Sequence, residues 1–335
     1  MINNSVYILC KQDGVKITRM HICTWNVKNK ISFTEYGFEI DRGTLKKLDL
    51  LVALPEINKK EDLRCLYRNI SDTKNCRFIF NSDIELTKPI NGNAEFGVNI
   101  SLLGDREIAI LPIDSDKVIL ENKNLKFELE IPEQAKKIIY IRFLVESNIP
   151  SFAYVKNEIS KRIITYDVRV DECRTASKDV IKEQKKGYKI LHIDNCFCFH
   201  IVPSTYNIDF INGNKLKTIR SLEIPEFKNY LGDIEKDEKL TLKDNQFNII
   251  FCKQENKDNY SFFSTYSEEY IGNAQLTLAL GANILCSLLF ASGGLQKRTN
   301  DLELSFFARI PFEYWVALGV LLILGLYLII KKYKR

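Results

Sequence analysis

The segment ITYDVRV, residues 164–170, contains the pattern that decides the fold of most of this chain. Its apolar residues alternate with polar ones such as Asp167 and Arg169. Successive side chains of a β-strand point to opposite faces, so this period of two predicts a strand with one buried face. The segment KFELEI, residues 126–131, alternates in the same way.

Further runs rich in β-branched and aromatic residues recur before residue 265. They are VYILC (6–10), VKITRMHIC (15–23), ISFTEYGFEI (31–40), LDLLVALP (48–55), CRFIF (76–80), FGVNISLL (96–103), REIAILPI (106–113), KIIYIRFLV (137–145) and FNIIFC (247–252). Turn sequences separate them, and no regular strand–helix alternation indicates a Rossmann-type sheet. The pattern predicts a mostly β fold with two β-sandwich-like domains, residues 1–150 and 160–265.

Helical patterns are few in this part of the chain. Residues 59–70 place leucines at helical spacing, and residues 225–231 begin with a proline, a good first helical residue. Residues 175–186 are charged on nearly all sides, which fits either a short helix or a linker.

Composition excludes several classes of protein. With 45% hydrophobic and 27% charged residues, the chain of 335 residues is not disordered as a whole. Its net charge of +5 is not gathered in a basic block, so no nucleic-acid partner is predicted. Nine cysteines are scattered without a CxxC pair, and the N-terminus does not resemble a signal peptide, so we expect reduced thiols and a cytosolic β-rich region.

Residues 271–335 differ from the rest because they contain two long uncharged runs, 274–296 and 315–330. As helices these runs would extend about 34 and 24 Å, against a bilayer core of about 30 Å. The sequence therefore predicts a C-terminal hairpin of two transmembrane α-helices in the inner (plasma) membrane. Under the positive-inside rule, the N-terminal region and the basic tail both lie in the cytoplasm. The predicted interface anchors are Tyr314, Trp315, Lys331, Lys332, Lys334 and Arg335.

The first uncharged run carries a stripe of polar and small residues at intervals of four. Gln275, Asn283 and Ser287 are its polar members. Such stripes let membrane helices pack closely and form hydrogen bonds. Three interpretations stay open: packing against the second helix, self-association into an oligomer, or a buried helix of a soluble domain.

The strongest local candidate for chemistry is HIDNCFCFH, residues 192–200, whose histidines and cysteines are soft-metal ligands. A hairpin turn beginning at Asp194 would separate His192 from Cys196 and Cys198. These two cysteines are therefore only weak metal candidates, and a buried central strand is the favoured interpretation. The sequence has no nucleophile elbow, P-loop or HExxH motif, and no catalytic residue and no cofactor are predicted.

These features predict a membrane-anchored sensor or effector rather than an enzyme. Its β-rich region would bind a protein or small ligand, and its hairpin would anchor, oligomerise in or permeabilise the bilayer, for example in bacterial antiviral defence or cell death. A passive scaffold of an envelope or secretion assembly is the first alternative, and a membrane-tethered enzyme is the second. The predicted partners are thus the lipid bilayer, an unidentified protein or small ligand, and a second copy of the chain.

Overall fold

A computed structural model describes residues 5–26, 32–147, 152–158, 161–212, 215–222, 230, 247–269, 273–298, 315, 318 and 319. The chain divides into two compact units. One consists of Met1–Val155 and Ile163–Ser267, and the other of Lys156–Arg162 and Glu268–Arg335.

The described residues are mostly β. The strands are β1 (Ser5–Cys10), β2 (Lys16–Asn26), β3 (Ser32–Asp41), β4 (Lys47–Ala53), β5 (Leu63–Cys65), β6 (Ile84–Pro89), β7 (Val98–Leu102), β8 (Arg106–Ile110), β9 (Ile119–Glu121), β10 (Asn124–Glu130), β11 (Ile138–Ser147), β12 (Ala153–Asn157), β13 (Lys161–Val170), β14 (Lys189–Ile190), β15 (Ile193–Pro203), β16 (Asn207–Ile211), β17 (Leu216–Ser221), β18 (Phe247–Glu255) and β19 (Tyr260–Glu269).

These strands form two sheets. The nine-stranded sheet has the order β16-β19-β13-β1-β4-β10-β9, with β12 beside β13 and β14 beside β1. The ten-stranded sheet has the order β17-β18-β15-β2-β3-β11-β8-β7-β6, with β5 beside β11. Both sheets contain strands from the two segments predicted as separate domains. The predicted domain boundaries are not tested by this arrangement and stay predictions.

The largest hydrophobic cluster joins residues of both sheets. β1 contributes Val6 and Ile8, and β4 contributes Leu50 and Val52. Alternate residues of the ten-stranded sheet pack in the same cluster. Met20 is one of those that β2 contributes. The residues between them point to the opposite face of the sheet, as the period of two requires.

That opposite face, here called the outer face of the ten-stranded sheet, has its own hydrophobic cluster. It contains Cys23 and Trp25 of β2, Ile201 of β15 and Ile249 of β18. Phe80, at the end of a helix, packs in the same cluster. The ten-stranded sheet is therefore buried on both faces around β2 and β15.

Four α-helices lie in the described part of the chain: α1 (Tyr67–Ile70), α2 (Thr73–Phe80), α3 (Lys178–Lys185) and α4 (Asn273–Arg298). Short 3-10 helices occur at Lys60–Asp62, Ile90–Gly92, Ala94–Phe96, Ser115–Lys117 and Cys173–Thr175.

α2 corrects the strand prediction for residues 76–80. Asp72 is the N-cap of this helix, and its side chain accepts hydrogen bonds from the backbone amides of Lys74 and Asn75. The cap starts the helix four residues before the apolar run, which then buries one helical stripe that includes Cys76 and Phe80.

The other three helix predictions had different outcomes. The segment 175–186 does contain a helix, α3, with Ser177 as its N-cap. The segment 59–70 is instead divided into a 3-10 helix, β5 and α1, because β5 pairs with β11. The predicted helix 225–231 lies outside the described residues except for Tyr230.

The prediction for the C-terminal part was wrong. Among the helices that the structure describes, none has the combination of length and low polarity required to cross a bilayer. This finding contradicts the predicted transmembrane hairpin and the predicted inner-membrane location. The first predicted span was chosen for its lack of charge, but an uncharged run can still be polar, and α4 includes Gln275, Asn283 and Ser287 and continues to Arg298. Most of the second predicted span lies outside the described residues.

Candidate functional site

A cavity of about 450 Å³ lies on the outer face of the ten-stranded sheet. Its floor is formed by outward-facing residues of β2, β3, β11, β15 and β18, and its sides by Ile79 to Asn81, by Tyr230 and by β17. Small-molecule sites in proteins typically have volumes of about 300–1,000 Å³. The cavity is therefore of a suitable size for a small ligand.

A buried ion pair joins two of the strands that line the cavity. Arg142 donates to Glu35 Oε2 from Nε (2.8 Å) and from Nη2 (2.5 Å). Tyr230 donates to the same oxygen (2.7 Å), and Trp25 Nε1 donates to Oε1 (2.8 Å). Both oxygens of Glu35 are thus occupied by donors, and the carboxylate is fully buried.

A second chain of hydrogen bonds connects Arg142 to His21. The Tyr140 hydroxyl accepts from Arg142 Nη1 (3.0 Å) and lies 3.0 Å from His21 Nδ1. In the described residues the Tyr140 proton has no other acceptor, so the hydroxyl donates to Nδ1 and His21 carries its own proton on Nε2. Burial, reinforced by Arg142, Arg19 and Arg106, holds the pKa of His21 well below its usual value. His21 is therefore a neutral residue that offers one N–H donor.

Gly37 makes this arrangement possible. The register places His21 opposite Gly37 and Gly37 opposite Arg142, so the three residues form one row across β2, β3 and β11. A Cβ at Gly37 would overlap the Tyr140 hydroxyl and would lie 3.2 Å from Arg142 Nη1. The missing side chain leaves the space in which Tyr140 and Arg142 meet.

Two further arginines line the cavity, and they are less completely paired. Arg19 Nε lies 3.9 Å from Glu39 Oε2, an oxygen that Arg106 contacts at much closer range. Arg220 on β17 is exposed, and in the described part of the chain no carboxylate pairs with it. Among the described residues that line the cavity, three arginines, Arg19, Arg142 and Arg220, accompany one acid, Glu35, and Arg220 lies three strands away from Arg19 in the sheet.

The other side of the cavity floor is aromatic. Phe199 and Phe251 face each other across β15 and β18 and stack with ring centroids 4.7 Å apart. Phe197 stacks on Phe251 at 5.8 Å, and His21 meets Phe197 edge-on at 5.2 Å. All three phenylalanines are only partly buried, so apolar ring surface remains open to the cavity.

The predicted cysteine candidates lie on the opposite face of the same strand. β15 is continuous from Ile193 to Pro203, so the hairpin turn expected at Asp194 does not form. Cys196 and Cys198 are buried in the core between the sheets, where burial raises the pKa of both thiols well above the usual value. Cys198 Sγ lies 3.5 Å from His200 Nε2, but no group of three His, Cys, Asp or Glu side chains that could hold a metal ion exists among the described residues.

The remaining predicted site residues lie near the C-terminus, in or beyond α4. Asn283 and Ser287 are exposed on this helix, and Gln275 is in its first turn. Trp315 is 45% exposed. The other predicted anchors lie outside the described residues; they are Tyr314, Lys331, Lys332, Lys334 and Arg335.

The sequence interpretation missed the cavity residues, although one signal was present. Glu35 and Arg142 are charged residues inside the strongly apolar runs ISFTEYGFEI and KIIYIRFLV. A charge in such a run is buried only when it is paired. A glutamate in one run and an arginine in another could therefore have suggested a buried pair on neighbouring strands.

No protein-family model and no curated protein matches the chain. Among solved structures it is similar to an M1 zinc metallopeptidase from Deinococcus radiodurans, at 8% identity and a TM-score of 0.33, over 76% of this chain and 42% of that one. A substrate-bound mutant of an M1 zinc metallopeptidase from the same organism gives a TM-score of 0.34, also at 8% identity, with 76% and 43% covered. The chain spans less than half the length of these proteins. Similarity at this level indicates neither a shared fold nor a shared activity.

Proposed function

We propose that this chain is a binding protein whose cavity takes a small anionic ligand with an apolar body. The observation that supports the proposal best is the occupation of both Glu35 oxygens by Arg142, Trp25 and Tyr230. With those acceptors occupied, the groups left to a ligand at this end of the cavity are mainly donors.

Two donors lie close together for the acidic group of such a ligand. His21 offers a neutral Nε2–H, and Arg19, two residues before it in β2, offers charged N–H groups. Charge-assisted hydrogen bonds are roughly twice as strong as neutral ones. An acidic group is the ligand chemistry that matches this set.

The aromatic side of the cavity favours an apolar body. Phe197, Phe199 and Phe251 expose ring surface, and Ile201 and Ile249 complete that side. Binding sites for small molecules commonly combine a mainly apolar lining with a few fixed polar groups. A ligand with an acidic end and a flat apolar end would contact both.

Calorimetric titration of the full chain with 2-naphthyl sulfate tests the proposal, with uncharged 2-naphthol as the matched control ligand. We expect the sulfate to bind and 2-naphthol to bind at least about tenfold more weakly, because 2-naphthol has no negative charge to pair with an arginine. Arg19→Gln should weaken sulfate binding by about tenfold, because it removes the charged donor beside His21. Arg19→Gln leaves Glu39 paired with Arg106, so the fold should be retained.

Arg174→Gln is the control variant. Arg174 is a well-exposed arginine outside the cavity lining, paired with Glu172, and its loss should leave binding unchanged. Equal affinities for the sulfate and 2-naphthol, or sulfate binding that Arg19→Gln does not affect, would refute the proposed function.

A further inference from the structure

We infer that the ligand is an aromatic acid whose acidic group is attached directly to its aromatic ring. The inference rests on the proposed function and concerns the body of the ligand rather than its charge. Its starting point is the short distance between the donor His21 and the open phenylalanine rings of the cavity floor.

The donor and these rings are neighbours in the sheet. The parallel pairing of β2 with β15 places His21 opposite Phe197. The His21 ring meets Phe197 edge-on at 5.2 Å and Phe199 at 6.2 Å. Because the Tyr140 hydroxyl occupies Nδ1 of His21, Nε2 is the ring nitrogen left to a ligand. Adjacent strands are about 4.8 Å apart, so an acidic group bound at His21 lies beside the phenylalanine rings.

The open aromatic surface of the cavity is confined to the same place. Three of its phenylalanines are only partly buried; they are Phe197, Phe199 and Phe251. The other phenylalanine, tyrosine and tryptophan side chains of the described lining are at most 6% exposed; they are Trp25, Phe80 and Tyr230. A ligand therefore finds ring surface beside His21 and little elsewhere in the described lining.

These rings favour an aromatic body over a saturated one. Phe199 and Phe251 are nearly parallel, with 8° between their planes, and the planes of Phe197 and Phe251 differ by 19°. An aromatic pair in offset-stacked or edge-to-face contact gains about two- to tenfold in affinity beyond the effect of buried area. A saturated body lacks this gain. Since the rings adjoin the donor, the ligand that contacts both has no spacer between its ring and its acidic group.

The test compares 2-naphthyl sulfate with its saturated analogue, decahydro-2-naphthyl sulfate, by calorimetric titration of the full chain. The two probes have the same charge and similar size, so burial of apolar area alone predicts no preference for the aromatic probe. We expect the aromatic probe to bind about tenfold more tightly, because it contacts more than one phenylalanine. Equal or tighter binding of the saturated probe would overturn this inference and leave the proposed function standing. Binding of neither probe would overturn both.

A second pair of probes tests the direct attachment. In 4-(2-naphthyl)butyl sulfate and its saturated analogue, four carbons separate the ring from the acidic group. With the acidic group at His21, the spacer carries the ring past the phenylalanines, and the preference for the aromatic probe should fall to about twofold or less. A preference as large as that of the directly attached pair would overturn the direct attachment.

Variants of the phenylalanines show whether these side chains cause the preference. Phe199→Leu and Phe251→Leu each remove one ring but keep an apolar side chain, and each should reduce the preference to about threefold. Phe263→Leu is the matched control, because Phe263 lies on β19 of the nine-stranded sheet, is 42% exposed and is not in the described cavity lining. A preference that neither cavity variant reduces, or that the control reduces equally, would contradict the role given to the rings.

Discussion

Two buried carboxyl groups in this protein have contrasting surroundings. Glu35, on the outer face of the ten-stranded sheet, is paired with Arg142 and accepts from Trp25 and Tyr230 as well. Asp171, at the end of β13 in the nine-stranded sheet, is 4% exposed, and its Oδ1 has no hydrogen-bond partner in the described structure. Burial raises the pKa of Asp171 to about 8.

The contrast shows what decides the state of a buried acid. Desolvation penalises the charged form in both places, but only Glu35 has a cation at hydrogen-bond distance. The Glu35 region can therefore keep fixed charges beside a cavity, which a binding site requires. Asp171 has no such cation at hydrogen-bond distance among the described residues, and it is mainly protonated at neutral pH.

The largest expected effect comes from breaking the Glu35 pair. Glu35→Gln leaves the Arg142 charge buried without its partner, and the free energy of unfolding should fall by about 3–5 kcal/mol. The double variant Glu35→Gln with Arg142→Met should lose less than the single variant, because no unpaired charge remains. Urea titration measures the stability of both variants.

Glu128→Gln, at a half-exposed ion pair with Lys47, is the control and should change stability by no more than about 1 kcal/mol. A double variant as unstable as the sum of its single variants would contradict the role given to the pair.

The second effect should appear when Asp171 is made permanently neutral. Since its folded pKa is raised above the unfolded value of 3.8, the folded protein binds the proton more tightly than the unfolded chain. The proton bound by Asp171 contributes its full stabilisation below about pH 4. This stabilisation is lost as the pH rises through about 8, and it amounts to about 1.4 kcal/mol for each unit of pKa difference between the folded and unfolded states. Asp171→Asn should remove this loss and raise stability at pH 8 by an amount on the order of a few kcal/mol.

Asparagine is the suitable replacement because Asp171 has φ 55°, a left-handed conformation that asparagine tolerates. Unfolding curves at several pH values between 5 and 9 provide the measurement. Burial also raises the pKa of Glu56, to about 7, and adds a decline of the same sign. The difference between wild type and variant is therefore the quantity that reports Asp171. Parallel curves for the two proteins would refute the assignment.

The smallest of the three effects is expected at Gly37. Gly37→Ala forces the Tyr140 hydroxyl away from Arg142 and His21, at a cost of about 1–3 kcal/mol for the added methyl group. Adding Tyr140→Phe should recover part of this stability, because the hydroxyl is the atom closest to the new Cβ. Thermal unfolding in single and double variants measures the recovery. If Tyr140→Phe worsens Gly37→Ala by as much as it destabilises the wild type, the steric explanation is incorrect.

The sequence predicted the positions of the strands better than it predicted how the strands pair. The alternation in ITYDVRV corresponds to β13, and the apolar run VYILC corresponds to β1. The parallel pairing of β1 with β13 connects residues more than 160 positions apart, and no local pattern encodes it. The same limit applies to the cavity, where β2, β3, β11, β15 and β18 each contribute one or more side chains.

The incorrect predictions have local physical causes. The run CRFIF is apolar enough for a strand, but the N-cap Asp72 begins a helix before it. The run 274–296 was judged by its lack of charge, although it also contains amide and hydroxyl side chains. In the first of these two segments, a polar residue next to the apolar run decided the outcome.

By itself, the amino-acid sequence determined that most of this chain is β-structure, because a period of two is a local property that any pairing of the strands preserves. Only the tertiary structure decided that Glu35, Arg142, Tyr140 and His21 meet beside a cavity. That meeting depends on the register of β2, β3 and β11 and on the space left by Gly37. Register is fixed by the burial of whole strand faces, a cooperative property of the packed sheets that no single segment of the sequence carries.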